Sequence, residues 1–241
     1  MQLSRSHPFD LTVKEAMRLQ EELRGQVVDG LSFDPKTIRR VAGTDISYLR
    51  ELRLALAAVV IMDFPSMEVI EESRHVVEVD FPYVPGLLSF RELPALLPAL
   101  EALHREPDVI FVDGQGLAHP RGMGIASHLG IITEKPTIGC AKSRLIGEAE
   151  EPGSVAGDWS PLLYEGRRIG AVLRTRQSVK PLYVSVGHLI DLETAIDMVL
   201  ACSTGYRLPE PQRRAHSMAD GMKRIVRAGR VNEISGEFVS G

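Results

Sequence analysis

Cysteines and long apolar runs are both scarce in this chain of 241 residues. Its two cysteines, Cys140 and Cys202, lie among apolar or small residues without CxxC spacing, which argues against a disulfide framework and a thiolate metal site. We expect both to be buried thiols. No stretch approaches the roughly 18 uninterrupted apolar residues of a membrane-spanning helix. The N-terminus lacks the regions of a signal peptide, so we expect a cytoplasmic protein without a membrane partner.

An excess of positive charge is also lacking. The chain has 28 lysines and arginines against 32 aspartates and glutamates, a net charge of -4, which excludes a protein that coats nucleic acid through bulk charge. The charge is unevenly distributed, however: residues 63–80 carry six acids and one arginine, whereas residues 166–180 carry five basic residues and no acid. A basic segment on an acidic protein favours a site-specific contact with nucleic acid.

The length predicts a single domain, residues 1–241, with a peripheral helix near its N-terminus. Apolar residues at helical spacing place that helix at about residues 10–25, ended by Gly25. Three runs rich in β-branched and aliphatic residues then predict an antiparallel three-stranded meander, because only short turns separate them. These runs are residues 37–48, 52–64 and 67–81.

The second half of the chain predicts a strand, a helix and a strand in succession, which is a βαβ unit with a parallel strand pair. A further strand pair and a covering helix follow. The fold class is therefore α/β, a mixed sheet in which an antiparallel meander joins parallel βα units, flanked by helices. We expect the last dozen residues to be poorly ordered. The predicted elements lie at residues 108–114, 121–133, 136–141, 167–175, 182–188 and 193–203.

Two carboxylates occupy positions that indicate a function. Asp45 interrupts a β run where an apolar or β-branched residue is typical. Asp113 follows a buried strand at its carboxyl end, the usual place for ligand groups in α/β sheets. Taken alone, Asp113 is better explained as a β-turn residue beside Gly114, and the sequence by itself does not bring it to Asp45.

Glu92 is a third candidate with a structural alternative. It forms an S-x-x-E capping box with Ser89, which would start a helix there. Such a helix would contain Pro94 in its second turn, so a start near Pro94 is favoured because proline is tolerated in a first turn. If Glu92 and the two aspartates converge, three hard oxygen donors favour Mg²⁺ or Mn²⁺ over zinc.

Four longer motifs make the sequence recognisable. They closely resemble the endonuclease V family, repair nucleases that act on deaminated bases, chiefly deoxyinosine, and the resemblance extends from about Val41 to His216. It implies a ribonuclease H-like fold and a metal-dependent DNA endonuclease that cuts the lesion-bearing strand at the second phosphodiester bond 3′ to the lesion. The motifs are FPYVPGLLSFRE (81–92), FVDGQGLAHPRGMGIASHLG (111–130), PTIGCAKSRL (136–145) and GYRLPEP (205–211).

The resemblance also implies the catalytic residues. The family's acidic site matches three carboxylates here, which would hold Mg²⁺, or Mn²⁺ in its place, with two ions in the reacting complex. Lys142 matches the lysine near the scissile phosphate, where an ammonium group stabilises charge or orients water. His119 and His216 match histidines near the metals and the DNA backbone. The implied metal ligands are Asp45, Glu92 and Asp113.

The PYxP motif is the family's wedge, whose tyrosine enters the duplex beside the damaged base. Here this residue is Tyr83, and Pro82 and Pro85 would keep the loop rigid so that little entropy is lost on binding. The lesion would be flipped out at a cost of a few kcal/mol. The other positions matched to the base pocket and DNA contacts are Gly86, Gly114, Arg121, Ile125, Gly139 and Leu145.

Three alternatives remain open. One is a ribonuclease acting on inosine-containing RNA, because a flipped base offers similar edges in either polymer. Another is a protein that binds inosine without cutting. The third is a general ribonuclease H-like nuclease or a structural α/β protein, which predicts no preference for inosine over adenine. We expect a monomer in each case.

Overall fold

The structure, a computed structural model, describes residues 1–230, and within them eight strands form one mixed sheet. Its order is β3-β2-β1-β4-β5-β8-β7-β6. The strands are β1 (Arg40–Leu49), β2 (Leu54–Asp63), β3 (Val69–Glu78), β4 (Val109–Val112), β5 (Thr137–Ala141), β6 (Trp159–Tyr164), β7 (Arg167–Leu173) and β8 (Leu182–His188). The helices are α1 (Val13–Arg24), α2 (Leu88–Glu101), α3 (Ile125–Thr133), α4 (Leu192–Ala201) and α5 (Glu210–Arg227).

The predicted mixed sheet is confirmed. Strands β1, β2 and β3 form the antiparallel meander, while β1 pairs with β4 and β4 with β5 in parallel. Helix α3 connects β4 to β5, as a βαβ unit requires. The predicted pair β7 and β8 is antiparallel, and β8 also pairs antiparallel with β5.

Helices cover both faces of the sheet. On one face, Leu93 and Leu96 of α2 and Leu129 of α3 pack against buried residues of the central strands. On the other face, Ile196 of α4 and Ala215 of α5 belong to a second buried cluster. Burial on both sides explains why the central strands are nearly continuous apolar runs. An acid within such a strand therefore stands out.

Both predicted starts of α2 are wrong. The helix begins at Leu88, and its N-cap residue Leu87 makes no side-chain capping hydrogen bond. The hydroxyl group of Ser89 lies 3.0 Å from Nδ1 of His128 instead of capping the helix. Pro94 lies inside the helix, and the buried apolar face of α2 outweighs the backbone hydrogen bond that this proline cannot donate.

Two elements have no counterpart in the sequence predictions. Strand β6 lies at the edge of the sheet and contains Pro161, which edge strands tolerate and which weakens the strand signal. Helix α5 is long and carries His216 on the face that meets β1.

The N-terminal helix is confirmed as α1. Thr12 and Glu15 form a capping box at its start, and Gly25 is its C-cap. The residues before it pack on α3, since the backbone N–H groups of Ser4 and Arg5 donate to the carbonyl of Ile132.

Other predictions concern the thiols, the termini and the membrane. Cys140 and Cys202 are both buried and unpaired, as predicted. No helix within residues 1–230 is long and apolar enough to cross a bilayer. The disorder predicted for the C-terminal end falls on residues outside the described range, apart from residue 230.

Candidate functional site

Asp45 lies in the middle of β1, opposite Ala58 of β2, and is 5% exposed. Its side chain points to the face covered by α5, where Nδ1 of His216 lies 3.1 Å from Asp45 Oδ2. The buried carboxylate of Asp45 in β1 is therefore paired with a histidine of α5, a helix far along the chain.

Parallel pairing brings Asp113 beside Asp45. Thr44 of β1 is in register with Val112 of β4. The residues that follow them, Asp45 and Asp113, are therefore neighbours across the two strands. One oxygen of each aspartate and one ring nitrogen of His216 all lie within 4.8 Å of one another. Hard oxygen donors with one imidazole form a group that could hold a divalent metal ion.

Lys142 completes this edge of the sheet. Strand β5 is the parallel neighbour of β4, with Gly139 opposite Val112, and Lys142 follows the end of β5. Its Nζ donates a hydrogen bond of 2.6 Å to Oδ2 of Asp113. The ammonium group thus lies directly beside the carboxylate cluster and is still 37% exposed to solvent.

Glu92 reaches the cluster from α2. It is buried, and Tyr48 of β1 donates a hydrogen bond of 3.3 Å from its hydroxyl group to Glu92 Oε1. Burial raises the pKa of Glu92 to about 8, and the charges of Asp113 and Asp45 add to the rise. Glu92 is thus electrostatically coupled to both aspartates, although it lies outside the group of ligand atoms within 4.8 Å.

Burial disfavours the charged form of the acids in this cluster. Burial raises the pKa of Asp45 to about 6; His216 opposes this rise and Asp113 adds to it. The hydrogen bond with Asp45 in turn raises the pKa of His216. Buried carboxylates with raised pKa values would be stabilised in their charged form by a cation, so the donor set fits a metal site by charge as well as by ligand type.

A cavity of about 380 Å³ opens beside the carboxylates. Asp113 and Lys142 form part of its wall, and the loop carrying Tyr83 forms another part. Most of the residues that the sequence assigns to the base pocket and wedge line this one cavity: Tyr83, Pro85, Gly86, Gly114, Ile125 and Leu145, together with His119.

Three side chains donate hydrogen bonds to the carbonyl of Gly86. It accepts hydrogen bonds from Gln20 Nε2 (3.0 Å), His119 Nε2 (3.0 Å) and Arg121 Nη2 (2.7 Å). Gly86 has φ of +81°, a conformation that favours glycine. Arg121, which the sequence assigns to DNA, therefore supports the pocket loop in this structure and does not line the cavity.

His119 has both ring nitrogens engaged. Its Nδ1 accepts a hydrogen bond of 3.2 Å from the backbone N–H of Arg121, which leaves Nε2 as the donor to Gly86. Burial lowers the pKa of His119 to about 4, and the charge of Arg121 lowers it further. The imidazole is therefore neutral at pH 7, and it lies outside the group of ligand atoms around Asp45.

Gly139 shapes the cavity from behind without lining it. A Cβ atom at this position would lie 2.6 Å from the backbone nitrogen of Gly116 and 2.8 Å from the carbonyl oxygen of Gly114. The absence of a side chain thus allows β5 to approach the loop that follows Asp113.

Tyr83 lies at the tip of its loop and is 73% exposed. It borders both the 380 Å³ cavity and a second cavity of about 690 Å³, whose wall includes Pro82, Arg91 and Glu92. The loop therefore separates two concave surfaces.

Sequence reasoning missed two supporting residues. Gln20 of α1 is buried and bonds the carbonyls of Gly86 and Met123, and a glutamine within the apolar spacing of α1 is a weak sequence signal. Tyr48 gives no signal, because tyrosine is common in strands.

Known proteins match this sequence over most of its length. The family model described as Endonuclease V matches residues 21–217. The endonuclease V of Trichormus variabilis is 52% identical over 219 residues, which are 91% of this chain and 99% of that protein.

Solved structures are similar as well. The endonuclease V of Streptomyces avermitilis has a TM-score of 0.86 and 44% identity, covering 91% of this chain and 96% of its own. An endonuclease V of Ciona intestinalis, in complex with DNA containing an inosine followed by a ribo-adenosine, has a TM-score of 0.80 and 29% identity, covering 89% and 98%. These similarities confirm the ribonuclease H-like fold expected from the sequence.

Proposed function

This chain belongs to the endonuclease V family of nucleases, and from that premise we propose that it is a DNA repair endonuclease that recognises deoxyinosine and other deaminated bases. It hydrolyses the second phosphodiester bond 3′ to the lesion and leaves 3′-hydroxyl and 5′-phosphate ends. One observation carries the proposal: Asp113 and Lys142 lie in the wall of the cavity that Tyr83 and Gly86 border. A flipped base in that cavity would bring a neighbouring phosphate to the carboxylates.

The cavity suits a single base. Its volume of about 380 Å³ lies near the lower end of the roughly 300–1,000 Å³ range of ligand pockets. Gly86 and Gly114 border it, and because glycine has no side chain, the edge of a hypoxanthine could approach the backbone there. The complex of the Ciona intestinalis relative with inosine-containing DNA supports this choice of ligand.

Tyr83 serves as the wedge in this proposal. Its exposed ring would stack in the gap left by the flipped base, while Pro82 and Pro85 limit the backbone freedom of the loop. The three hydrogen bonds to the Gly86 carbonyl keep the same loop in place before DNA arrives. A loop that is ordered in advance loses less entropy on binding.

Mg²⁺ is the proposed cofactor, with Mn²⁺ able to replace it. Asp45, Glu92 and Asp113 would hold the metal, and His216 adds a nitrogen donor beside them. Bound there, a divalent cation neutralises charge that develops on the phosphate and lowers the pKa of water. The raised pKa values of Asp45 and Glu92 are consistent with this role, because burial disfavours the charged forms of these acids and a bound cation would stabilise them.

The protein's own side chains divide the remaining work. Lys142 places an ammonium group 2.6 Å from Asp113, where it would stabilise negative charge on the scissile phosphate. His216 holds Asp45 in position through the 3.1 Å contact. For His119, the neutral ring and its two hydrogen bonds favour positioning the Gly86 loop over the catalytic role that the sequence predicts.

A nicking assay tests the proposal. An end-labelled duplex with one deoxyinosine is incubated with the protein in Mg²⁺, in Mn²⁺ or in EDTA, next to a matched duplex with adenine in place of the inosine. We expect metal-dependent nicking of the inosine strand alone. Equal cutting of the adenine duplex would contradict lesion recognition, and cutting in EDTA would contradict the metal site.

A second candidate is cleavage of inosine-containing RNA. The DNA bound by the Ciona intestinalis relative carries a ribo-adenosine after the inosine, which favours testing this possibility. Matched strands of DNA, of RNA and of DNA with one ribonucleotide 3′ to the inosine separate the two activities. Faster cutting of RNA than of DNA would make the chain an inosine-specific ribonuclease.

A further inference from the structure

The GYRLPEP motif is not used by the proposed site. It covers the end of the loop between α4 and α5 and the first two residues of α5, and Tyr206 within it is 51% exposed. Among the described residues, Lys142 lines the base cavity but Tyr206 does not. An exposed aromatic ring outside the cavity therefore needs its own explanation.

Arg213 packs against one face of the Tyr206 ring. The guanidinium carbon of Arg213 lies 4.5 Å from the centre of the ring. Arg213 is in turn held by two hydrogen bonds of 2.6 Å to Glu210, which is 5% exposed. Glu210 also accepts hydrogen bonds from Thr204 (2.9 Å) and Arg214 (2.7 Å). The contacts hold one face of the ring against a rigid ionic network, while much of the ring stays open to solvent.

The next residue ties this loop to the catalytic edge of the sheet. Arg207 Nη2 donates to the carbonyl of Lys142 (2.5 Å) and to that of Pro181 (2.6 Å). Lys142 therefore links two features: its side chain borders the base cavity and contacts Asp113, and its backbone anchors the Tyr206 loop. The loop that carries Tyr206 is thus bonded, through Arg207, to the residue that contacts Asp113.

The charge of the loop suits nucleic acid. Residues 203–214 contain three arginines and one glutamate, and that glutamate is buried under the arginines. Exposed aromatic rings beside arginines bind unpaired or splayed bases by stacking, and the arginines neutralise the adjoining phosphates. A base flipped into the cavity disturbs the stacking of its neighbours, so a partly unstacked base is available close to the cut.

We propose that Tyr206 is a stacking platform for a nucleobase of the cleaved strand other than the lesion, and that it holds this strand over Lys142 and Asp113. This inference rests on the proposed function, since it assigns a second contact to the same substrate. In this role Tyr206 binds the substrate and lowers the half-saturating concentration of enzyme, and it takes no part in breaking the phosphodiester bond.

The test is single-turnover cleavage of the single-inosine duplex at increasing enzyme concentration. With Tyr206→Ala we expect the half-saturating concentration to rise about tenfold, the scale of a lost base–aromatic stack. The maximal rate should change little, and Tyr206→Phe should behave like the wild type. Tyr164→Ala is the matched control, because Tyr164 is a partly exposed tyrosine on β6 and should have no effect.

A scan with abasic sites identifies the stacked base. Single abasic residues are placed in turn at positions on both sides of the cut. At one position, loss of the base should raise the half-saturating concentration of the wild type about tenfold, with no further effect on Tyr206→Ala. Equal penalties in both proteins at every position would overturn the proposal, and so would an unchanged Tyr206→Ala.

Two other outcomes are distinguishable. If Tyr206 only stabilises the fold, Tyr206→Ala lowers the melting temperature and the maximal rate on all substrates, which contradicts a stacking role. If the wild type does not cut the inosine duplex, the proposed function fails. In that case the dissociation constants of the wild type and Tyr206→Ala for the same abasic duplexes are measured by fluorescence anisotropy. A loss of affinity at one abasic position in the wild type alone supports stacking, and the absence of such a loss overturns the proposal.

Discussion

Lys142 Nζ donates a 2.6 Å hydrogen bond to Oδ2 of Asp113, across the ends of two neighbouring parallel strands. The pair joins the carboxylate cluster, which includes Asp45 and His216, to the cavity bordered by Tyr83. It is therefore the point at which the carboxylate cluster and the 380 Å³ cavity meet.

Removing the Lys142 charge should slow the chemical step. Lys142→Met keeps most of the side-chain length but removes one positive charge beside the developing charge on the phosphate, so we expect the single-turnover rate to fall about 10²–10³-fold. Lys36→Met is the control, because Lys36 is exposed and lines neither of the two cavities beside Tyr83. A Lys142→Met rate within twofold of the wild type would show that the lysine does not act at the phosphate.

The buried Glu92 should make the metal-free protein less stable as pH rises. Its pKa is about 8 in the folded chain against an ordinary value of 4.5. Between these values the unfolded chain has lost a proton that the folded chain keeps, so raising the pH favours unfolding. Glu92→Gln should reduce this loss of stability with rising pH, although Asp45, with a pKa of about 6, still contributes to it. The variant should also raise the melting temperature in EDTA at pH 7.5, by about 2–4 °C for each kcal/mol gained, and abolish cleavage.

Melting curves from pH 5 to 8.5 in EDTA check this effect, with Glu21→Gln as an exposed single-charge control. Added Mg²⁺ should stabilise the wild type more than Glu92→Gln, because a bound cation favours the charged form of the acid. Parallel pH curves for the wild type and Glu92→Gln would contradict the raised pKa of the buried Glu92.

His119 should act by position rather than by proton transfer. Glutamine can place an amide donor near the Gly86 carbonyl, so His119→Gln should retain the maximal rate, and its rate should follow the wild-type pH profile from pH 6 to 9. His119→Ala should raise the half-saturating enzyme concentration about fivefold or more through the loosened loop. Collapse of the rate in His119→Gln would instead identify His119 as a general acid or base.

Gly139→Ala should distort the cavity by displacing the backbone of the loop that follows Asp113. The added methyl group would meet backbone atoms of Gly114 and Gly116 at less than 3 Å, and these cannot move without displacing the loop after Asp113. We expect weaker discrimination between inosine and adenine duplexes and a loss of stability of about 1–3 kcal/mol. Gly30→Ala serves as the control, because nothing lies within 4 Å of a Cβ there. Equal discrimination by Gly139→Ala and Gly30→Ala would contradict this role.

The sequence predicted much of the sheet but less of the site. Asp45 stood out because an acid in an apolar strand has a desolvation cost that packing alone does not explain. Asp113 stood out at a strand end. Their convergence needed the register of β1 on β4, which a single sequence does not specify, and the resemblance supplied the link that the structure now shows as geometry.

The missed elements have physical reasons. Helix α5 has buried residues at Pro211, Ala215, Ala219, Met222 and Val226, spacings of three and four that could have predicted it. Its charged surface and the proline at its start obscured this pattern. The start of α2 was mispredicted because local rules for proline were weighed without the buried face of the helix. The single-domain organisation, the monomeric state and the cytoplasmic location stay predictions.

The position of the cut tests the central claim most directly, namely that a base cavity and a metal site adjoin at Asp113 and Lys142. The nicked strand of the single-inosine duplex is mapped to single-nucleotide resolution against a sequencing ladder. We predict one cut at the second phosphodiester bond 3′ to the inosine, moving with the inosine when the lesion is moved along the duplex. A cut that stays fixed while the lesion moves, or cuts scattered along the strand, would contradict the account.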